Sequence, residues 1–556
     1  MLRSLRSLAL LPLLAVSACS DPPAAEPPTA ESAQIEVLTR GSRFRGTNGI
    51  LFGPDGLLWV ASVVTPALAA IDPETGEVKT QYGPEQGAKG PDDLAFGPDG
   101  SLYWTDILYG DVVRRAPDGT TTVVASPGPG VNPITFSGDG RLFVSQCFLG
   151  DKLFEIDPLG AKEPRLISDR LGPGCGLNGM DWGPDDKLYG PRWFLGTVAR
   201  VDVDSGAVET VAEGFGVPAA VKFDSQGRLH VLDSLRGEIV RVDAGAGSRE
   251  VVGRVPPATA DNLAFDAGDR LFVSSFGDGF VVEVLDAGRT RTVLPGGVNM
   301  PGGLALAARS AGGEVLYLAD FFALRGLDPS TGKEIYAAHD IIGFSPLGST
   351  MTVAADGDRL ITTSWFDNAV KVWDPATNEV VAAWSGVQRP VHARAFQGDV
   401  VVSEWDTGSV IRLEMDDPDK RTAIATGIAS PAGLAAGGDD LYVADRDAGR
   451  LLQIVDGGDV QSPAREVARG LAGPEGIELG DDGRLYVVEA DGDRVSRVDP
   501  ETGEVELLAA ELALHVPGQA NFPTTMLFNG IAVGAQRIYV SGDGENVIYS
   551  IARRPE

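Results

Sequence analysis

Six residues recur at a spacing of roughly 40 positions, and five of them carry a side-chain oxygen: Asn48, Asp92, Asn132, Asn178, Ala219 and Asp261. Each stands two places before the first apolar residue of a short apolar run, and none is cationic. Two carboxylates and three amide carbonyls brought to one point would suit a hard cation. Calcium takes roughly 6–8 oxygens at about 2.3–2.6 Å, with water completing the shell. Asp93 and Asn262 lie next door and could add a ligand or orient one. The same residue types also satisfy a plainer reading, because Asn and Asp favour the turn before a strand, where they bond their own backbone.

Whether these oxygens meet depends on the elements that carry them. The stretch PDDLAFGPDGSLYWTDILYGDVVRRAPDG (91–119) holds two strands around a Gly-Pro-Asp-Gly turn, then a third strand and a second turn. The same sentence recurs from Leu177, Pro431 and Pro474. About twelve copies with a period near 40 residues are expected of four-stranded propeller blades. They begin near the six residues above and near Gly302, Ser349, His392, Ala432, Glu475 and Asn529. One such unit cannot bury its own faces, so copies must stack around an axis. Twelve in one ring would leave a wide hole, whereas six leave a narrow, fillable channel.

The expected fold is therefore all-β, two six-bladed propellers in tandem, the first over 34–290 and the second over 291–556; one large ring, or one propeller inserted in the other, are the alternatives. Ile35–Thr39 reads as an outermost strand without a blade, and the last copy stops after three strands. The two ends together suggest closure of a ring by strand exchange. In the second half the ring positions supply one carboxylate, one His and one Asn among small residues, which reads as a packed channel or a degenerate site.

Composition narrows the function. The chain has 556 residues and a formal net charge of −32, which argues against nucleic acid as a partner. Four His exclude a His-rich zinc site. No Gly-x-Ser-x-Gly elbow is present for a nucleophilic serine. The Asp-Pro-Glu-Thr-Gly segments at 72–76 and 499–503 read as hairpin turns, since they lack the spacing of a calcium loop.

Arg3 and Arg6, the apolar run Leu8–Val16 and Val16-Ser17-Ala18-Cys19 form an export signal over 1–18. It resembles a bacterial lipobox, which implies lipidation of Cys19, a Pro- and Ala-rich tether over 19–33, and envelope anchoring. Ser20 after the Cys implies outer-membrane sorting. In such an oxidising compartment Cys147 and Cys175, expected on one propeller face between adjacent blades, are expected to form a disulfide; two buried free thiols are the alternative.

The copies resemble the calcium-dependent β-propeller superfamily that includes senescence marker protein/gluconolactonase, the paraoxonases and NHL-repeat proteins. The resemblance is sharpest at LNGMDWGPDDKLY (177–189) and at ADNLAFDAGDRLFV (260–273). It implies Asn178 and Asn132 as metal-binding amides and Asp261-Asn262 as an Asp-Asn calcium pair. The family's first-blade Glu is replaced by Asn48 and its fifth-blade Asp by Ala219. The activity implied by this resemblance is that of an envelope-anchored, calcium-dependent hydrolase of lactones or small esters. Asn48, Asp92, Asn132, Asn178 and Asp261 would hold the metal and Asp93 would act as base, with Asp106 and Asp233 behind it. The competing reading is a non-catalytic lipoprotein that binds a protein or glycan. An exposed cluster of Trp365, Phe366 and Trp405 would favour that reading.

Overall fold

The computed structural model describes residues 34–243, 247–286, 288–308, 312–516 and 527–553, so the leader, Cys19 and the tether lie outside the described residues. These residues form twelve four-stranded antiparallel sheets, eleven of them taken from consecutive strands. Blades 1 to 6 span 47–82, 91–125, 131–168, 181–213, 218–254 and 260–294; blades 7 to 11 span 304–339, 352–385, 390–426, 431–469 and 474–509.

The radial order follows from burial. Second strands such as Leu102–Asp106 are buried on both faces, because a neighbouring blade covers each side. Third strands alternate, as in Thr197–Asp202. Outer strands such as Ala207–Glu213 are mostly exposed. The turns do what their residues dictate. In the first, Gly56 takes a left-handed φ of 78° and Asp55 accepts the Leu57 amide at 3.1 Å. Asp72, Asp328 and Asp499 likewise spend their carboxylates on the backbone of their own turns.

The inner strand of each of blades 1 to 6 packs on the next, and that of blade 6 (Ala260–Phe265) returns to that of blade 1 (Thr47–Phe52). A second-strand hydroxyl ties this last joint, Ser274 Oγ donating to the Asn48 carbonyl at 2.5 Å. Thr105 Oγ1 does the same to Asn132 at 2.6 Å. The first ring thus closes with every blade complete.

The second ring closes differently. Ile35–Arg40 pairs antiparallel with Val547–Ala552, Ile35 opposite Ile551, and becomes the outer strand of blade 12. The expectation that placed residue 34 onward in the first propeller is corrected here. Blades 1 to 6 have no vacancy, whereas the three-stranded last copy presents an open edge that must be paired. The first propeller is therefore inserted between the outer strand of blade 12 and the rest of the second ring. The expected boundary at 290/291 also falls inside the strand Arg289–Leu294.

The two crossings run side by side. Ser42 donates its amide to the Val298 carbonyl at 2.8 Å, and Asn546 Nδ2 donates to both Ser42 and Val298 carbonyls. Gly41 is required there, since a Cβ would stand 2.0 Å from the Val298 oxygen.

Cys147 and Cys175 are disulfide-bonded, joining the loop after the second strand of blade 3 to the entry of blade 4. Blade 4 needs the tie, because its inner strand is reduced to Asp181–Trp182. Replacing both cysteines by serine is expected to cost about 2–4 kcal/mol. Thermal unfolding should show the loss, and treatment of the parent protein with a reductant should reproduce it.

Candidate functional site

The mouths of the two propellers face each other. The loops that follow the second strands of blades 1 to 6 meet the corresponding loops of blades 7 and 8 across a cavity of about 250 Å³. Such loops are ordinarily polar. Here they read Ile107-Leu108, Phe148-Leu149, Trp193, Phe276, Phe321-Phe322 and Trp365-Phe366, and all of these line the cavity. Their apolar character is explained by the opposing face that covers them.

The halves are fastened by directional contacts as well. Trp193 Nε1 donates to the Ile342 carbonyl at 3.1 Å, and Phe194 stacks on Phe344 with centroids 6.1 Å apart. Arg325, 2% exposed, pairs with Asp320 and Glu334 of its own propeller and with Asp278 of the other. His339 reaches the same Asp278 oxygen at 3.0 Å.

Asn48, Asp92, Asn132 and Asp261 form the polar floor of this cavity, at the mouth of the first channel. Asn48 Nδ2 donates to Asp92 Oδ1 at 2.8 Å, while Asp92 Oδ2 is buried without a hydrogen-bond partner. Asn178 Nδ2 donates to the Ala219 carbonyl at 2.9 Å; its Oδ1 is buried and unpartnered. The Asn178 side chain also lies against the Asp261 carboxyl. Burial, with the nearby Asp93 charge, raises Asp261 to about 7. Burial, then Asp261 and Asp93, push Asp92 well above the usual carboxylate range. Asp261 keeps some accessible surface, and this surface faces the cavity that it lines.

Two crowded carboxyls that are costly to ionise, beside an amide oxygen that lacks a donor, are the electrostatic setting that a divalent cation relieves. The unpartnered Asp92 Oδ2 and Asn178 Oδ1 fit that role. The described residues hold no cluster of three His, Cys, Asp or Glu arranged for a metal. The ring has two carboxylates, and its other donors would be amide oxygens and water, which suits only a hard cation.

Asp93 does not reach the cavity. Its Oδ1 accepts the Leu94 amide at 2.9 Å and its Oδ2 the Ile134 amide at 3.2 Å, so it ties blade 2 to blade 3. Asn262 Oδ1 is likewise held by the Leu263 amide. The second-strand carboxylates Asp106 and Asp233 brace loops: Asp106 accepts the Lys89 and Gly90 amides, and Asp233 those of Gly216 and Val217. Asp320 and Asp445 repeat this use in the second ring, which makes it a feature of the blade and not of chemistry.

One channel group escaped the sequence reading. Lys222 donates to the Met180 carbonyl at 3.2 Å, and its charge acts on both Asp93 and Asp181. It stands three residues past Ala219, a level below the floor. There the aligned copies read Leu51, Ala95, Thr135, Asp181, Lys222 and Ala264, and the two charges among mostly apolar residues are a visible signal.

The second channel is packed. Met351, Val391 and Phe528 belong to its core, and a Cβ on Gly302 would meet the Met351 oxygen at 2.3 Å. Glu475 is spent on Arg446 (2.9 Å) and the Asn529 amide (2.7 Å). His392, lowered to about 3 by burial, is neutral and accepts the Leu434 amide. Only about 20 Å³ remains between His392, Glu475 and Asn529. The aromatic trio is not an exposed cluster either. Trp365 is buried, Trp405 packs against Phe528, and Phe366 stands at the cavity rim.

No family model matches the chain. No curated protein sequence matches it either. Among solved structures it is similar to virginiamycin B lyase from Staphylococcus aureus, at 14% identity and a TM-score of 0.30 over 57% of this chain and 92% of that one. It is also similar to the extracellular domain of a one component system from B. thetaiotaomicron (12% identity, TM-score 0.33) and of a hybrid two component system from the same organism (11%, 0.35). Both of these cover 94% of this chain and 84% of theirs.

Proposed function

We propose that the chain is an extracytoplasmic, envelope-anchored hydrolase of lactones or small esters that works at a calcium-type cation on the floor of the interpropeller cavity. The observation that carries this reading is the buried, unpartnered Asp92 Oδ2 on the floor of an apolar cavity that Asp261 also lines, with Asn178, whose Oδ1 is likewise buried and unpartnered, against the Asp261 carboxyl. The export signal with its lipobox and the disulfide support the location.

In this reading Asp92, Asp261 and the amide oxygens of Asn48, Asn132 and Asn178 hold the cation. When bound, it supplies Lewis-acid polarisation of the substrate carbonyl and acidifies a neighbouring water. Asn48 orients Asp92 through its 2.8 Å hydrogen bond. The aromatic walls exclude bulk water and strengthen every interaction on the floor. Water adds to the carbonyl carbon, the acyl C–O bond breaks, and the alcohol oxygen takes a proton; a lactone yields its hydroxy acid. Asp93 has no part in proton transfer, since both its oxygens are engaged by backbone amides.

The test is thermal unfolding of the full chain in excess EGTA and in added calcium, followed by a screen of lactones and esters. A ligand of the folded state alone stabilises by about 2.7 kcal/mol at a hundredfold excess over Kd. A rise in melting temperature with calcium, together with turnover that EGTA abolishes, is expected. No shift and no turnover would sink the proposal.

A further inference from the structure

We infer that the cavity is a composite binding site in which the second propeller selects an uncharged small molecule with an aromatic or alkyl body, its one carbonyl turned to the floor of the first channel. The carbonyl end rests on the hydrolase reading; the apolar body does not.

The division of labour is visible in the lining. Every floor oxygen comes from the first propeller, and the roof is Met300, Phe321, Phe322, Ile342 and Trp365 from the linker and the second propeller. Polar groups elsewhere in the lining are already engaged. Ser234 Oγ donates to the Ala260 carbonyl at 2.5 Å and Thr259 Oγ1 to the Pro256 carbonyl at 3.1 Å. Asp340 on the roof is bonded by Ser345 and the Gly348 backbone. A polyhydroxylated sugar lactone would bury hydroxyls against these walls without partners, and each unmet hydroxyl weakens binding.

The cavity of about 250 Å³ is partly open to solvent yet lined mostly by apolar side chains, and contiguous apolar surface left accessible in a concave site marks a place where something binds. The space is a little below the range of roughly 300–1,000 Å³ usual for ligand pockets, which suits a ligand of one or two rings. Its aromatic pairs meet edge to face, Phe276 on Phe322 at 5.1 Å and Phe321 on Phe322 at 4.4 Å. Access is marked by the two lining residues that are also exposed, Leu149 at 56% and Phe366 at 48%, one from each propeller.

The experiment is calorimetric titration of the full chain with 2-tetralone, a carbonyl compound of two fused rings that cannot be hydrolysed, and with glucose as the polar counterpart. 2-Tetralone is expected to bind with Kd below about 1 mM, and glucose not to bind. Phe322→Ala and Phe366→Ser are each expected to weaken tetralone binding by about fivefold or more. Phe366 is half exposed, so its replacement leaves the fold intact and keeps the test decisive if Phe322→Ala misfolds. Glucose binding as tightly as tetralone, no tetralone binding, or no effect of Phe366→Ser in a folded protein would each overturn the inference. Tetralone binding in EGTA, with no hydrolysis of the matching lactone dihydrocoumarin in calcium, would uphold the composite site and remove the hydrolase.

Discussion

Replacing Asp261 by Asn is expected to stabilise the calcium-free protein and to abolish its response to calcium. The two effects have opposite signs, and that separates a metal site from a merely buried acid. Asp261 is raised to about 7 by burial and by Asp93, so the folded state binds its proton more tightly than the unfolded chain does. Between roughly pH 4 and pH 7 the folded state therefore holds more protons, and stability from this group falls as pH rises through that window. At pH 5 the folded acid is protonated but the unfolded one is already mostly ionised, so the Asn variant should be the more stable in EGTA by only about 1.5 kcal/mol. At pH 8 the parent must carry a buried charge, and the variant should be the more stable by an amount on the order of a few kcal/mol. With calcium present the gap narrows. The parent gains about 2.7 kcal/mol at a hundredfold excess over Kd, on the order of 5–10 °C at the scale for large domains, while the variant gains nothing. Melting curves at pH 5 and pH 8, with EGTA and with calcium, check all four values. A variant that is less stable than the parent at pH 8 in EGTA would show that Asp261 is paired in some other way and is not waiting for a cation.

That site was legible to the extent that it lies in the repeat. Asn48, Asp92, Asn132 and Asp261 could be aligned because each blade begins the same way, and a residue at the same place in six blades is brought to one axis by the fold. The same alignment offered Asp93 as a base, yet it could not show the direction of a side chain whose neighbour already points to the mouth. Successive residues of a strand face opposite ways, and Asp93 turns to the Ile134 amide of the next blade. Lys222 and Asp181 were equally legible, one level down the channel, once the whole inner strand is aligned and not only its first residue.

The cavity was not legible in this way, because it belongs to no single repeat. Its signal was an anomaly, apolar pairs such as Phe148-Leu149 and Phe321-Phe322 in loops that should face water. Taken one by one, aromatic residues read as core. Taken as loop residues, they announce that one propeller face covers another. The closure of the second ring by Ile35–Arg40 is of the same kind. An unpaired first strand and an incomplete last blade were both visible, and the insertion they imply emerges only when every blade of the first ring is seen to be complete.

The largest loss of stability is expected at Arg325, which stands five residues after Asp320 as Arg450 stands after Asp445 and Arg494 after Glu489. Its guanidinium is 2% exposed and divides its donors between Asp320, buried in the same propeller, Glu334, and Asp278 of the other propeller. Arg325→Met removes the cation and leaves Asp320, wholly buried, facing only the amides of Asn299 and Met300. Breaking a buried pair from one side costs about 3–5 kcal/mol, and Arg325→Met with Asp320→Asn should recover much of it, since the stranded charge is the main cost. Asp278→Asn addresses the clamp alone. It keeps the Arg325–Asp320 and Arg325–Glu334 pairs inside the second propeller and weakens the contact to the first. Each propeller should then stay folded, with the registration of roof over floor loosened. Asp278→Asn is therefore expected to lower melting temperature less than Arg325→Met does, yet to weaken tetralone binding, although Asp278 touches neither floor nor roof. Equal binding in the parent and in Asp278→Asn would mean that the aromatic contacts around Trp193 and Phe194 hold the two mouths in register without the ion pair.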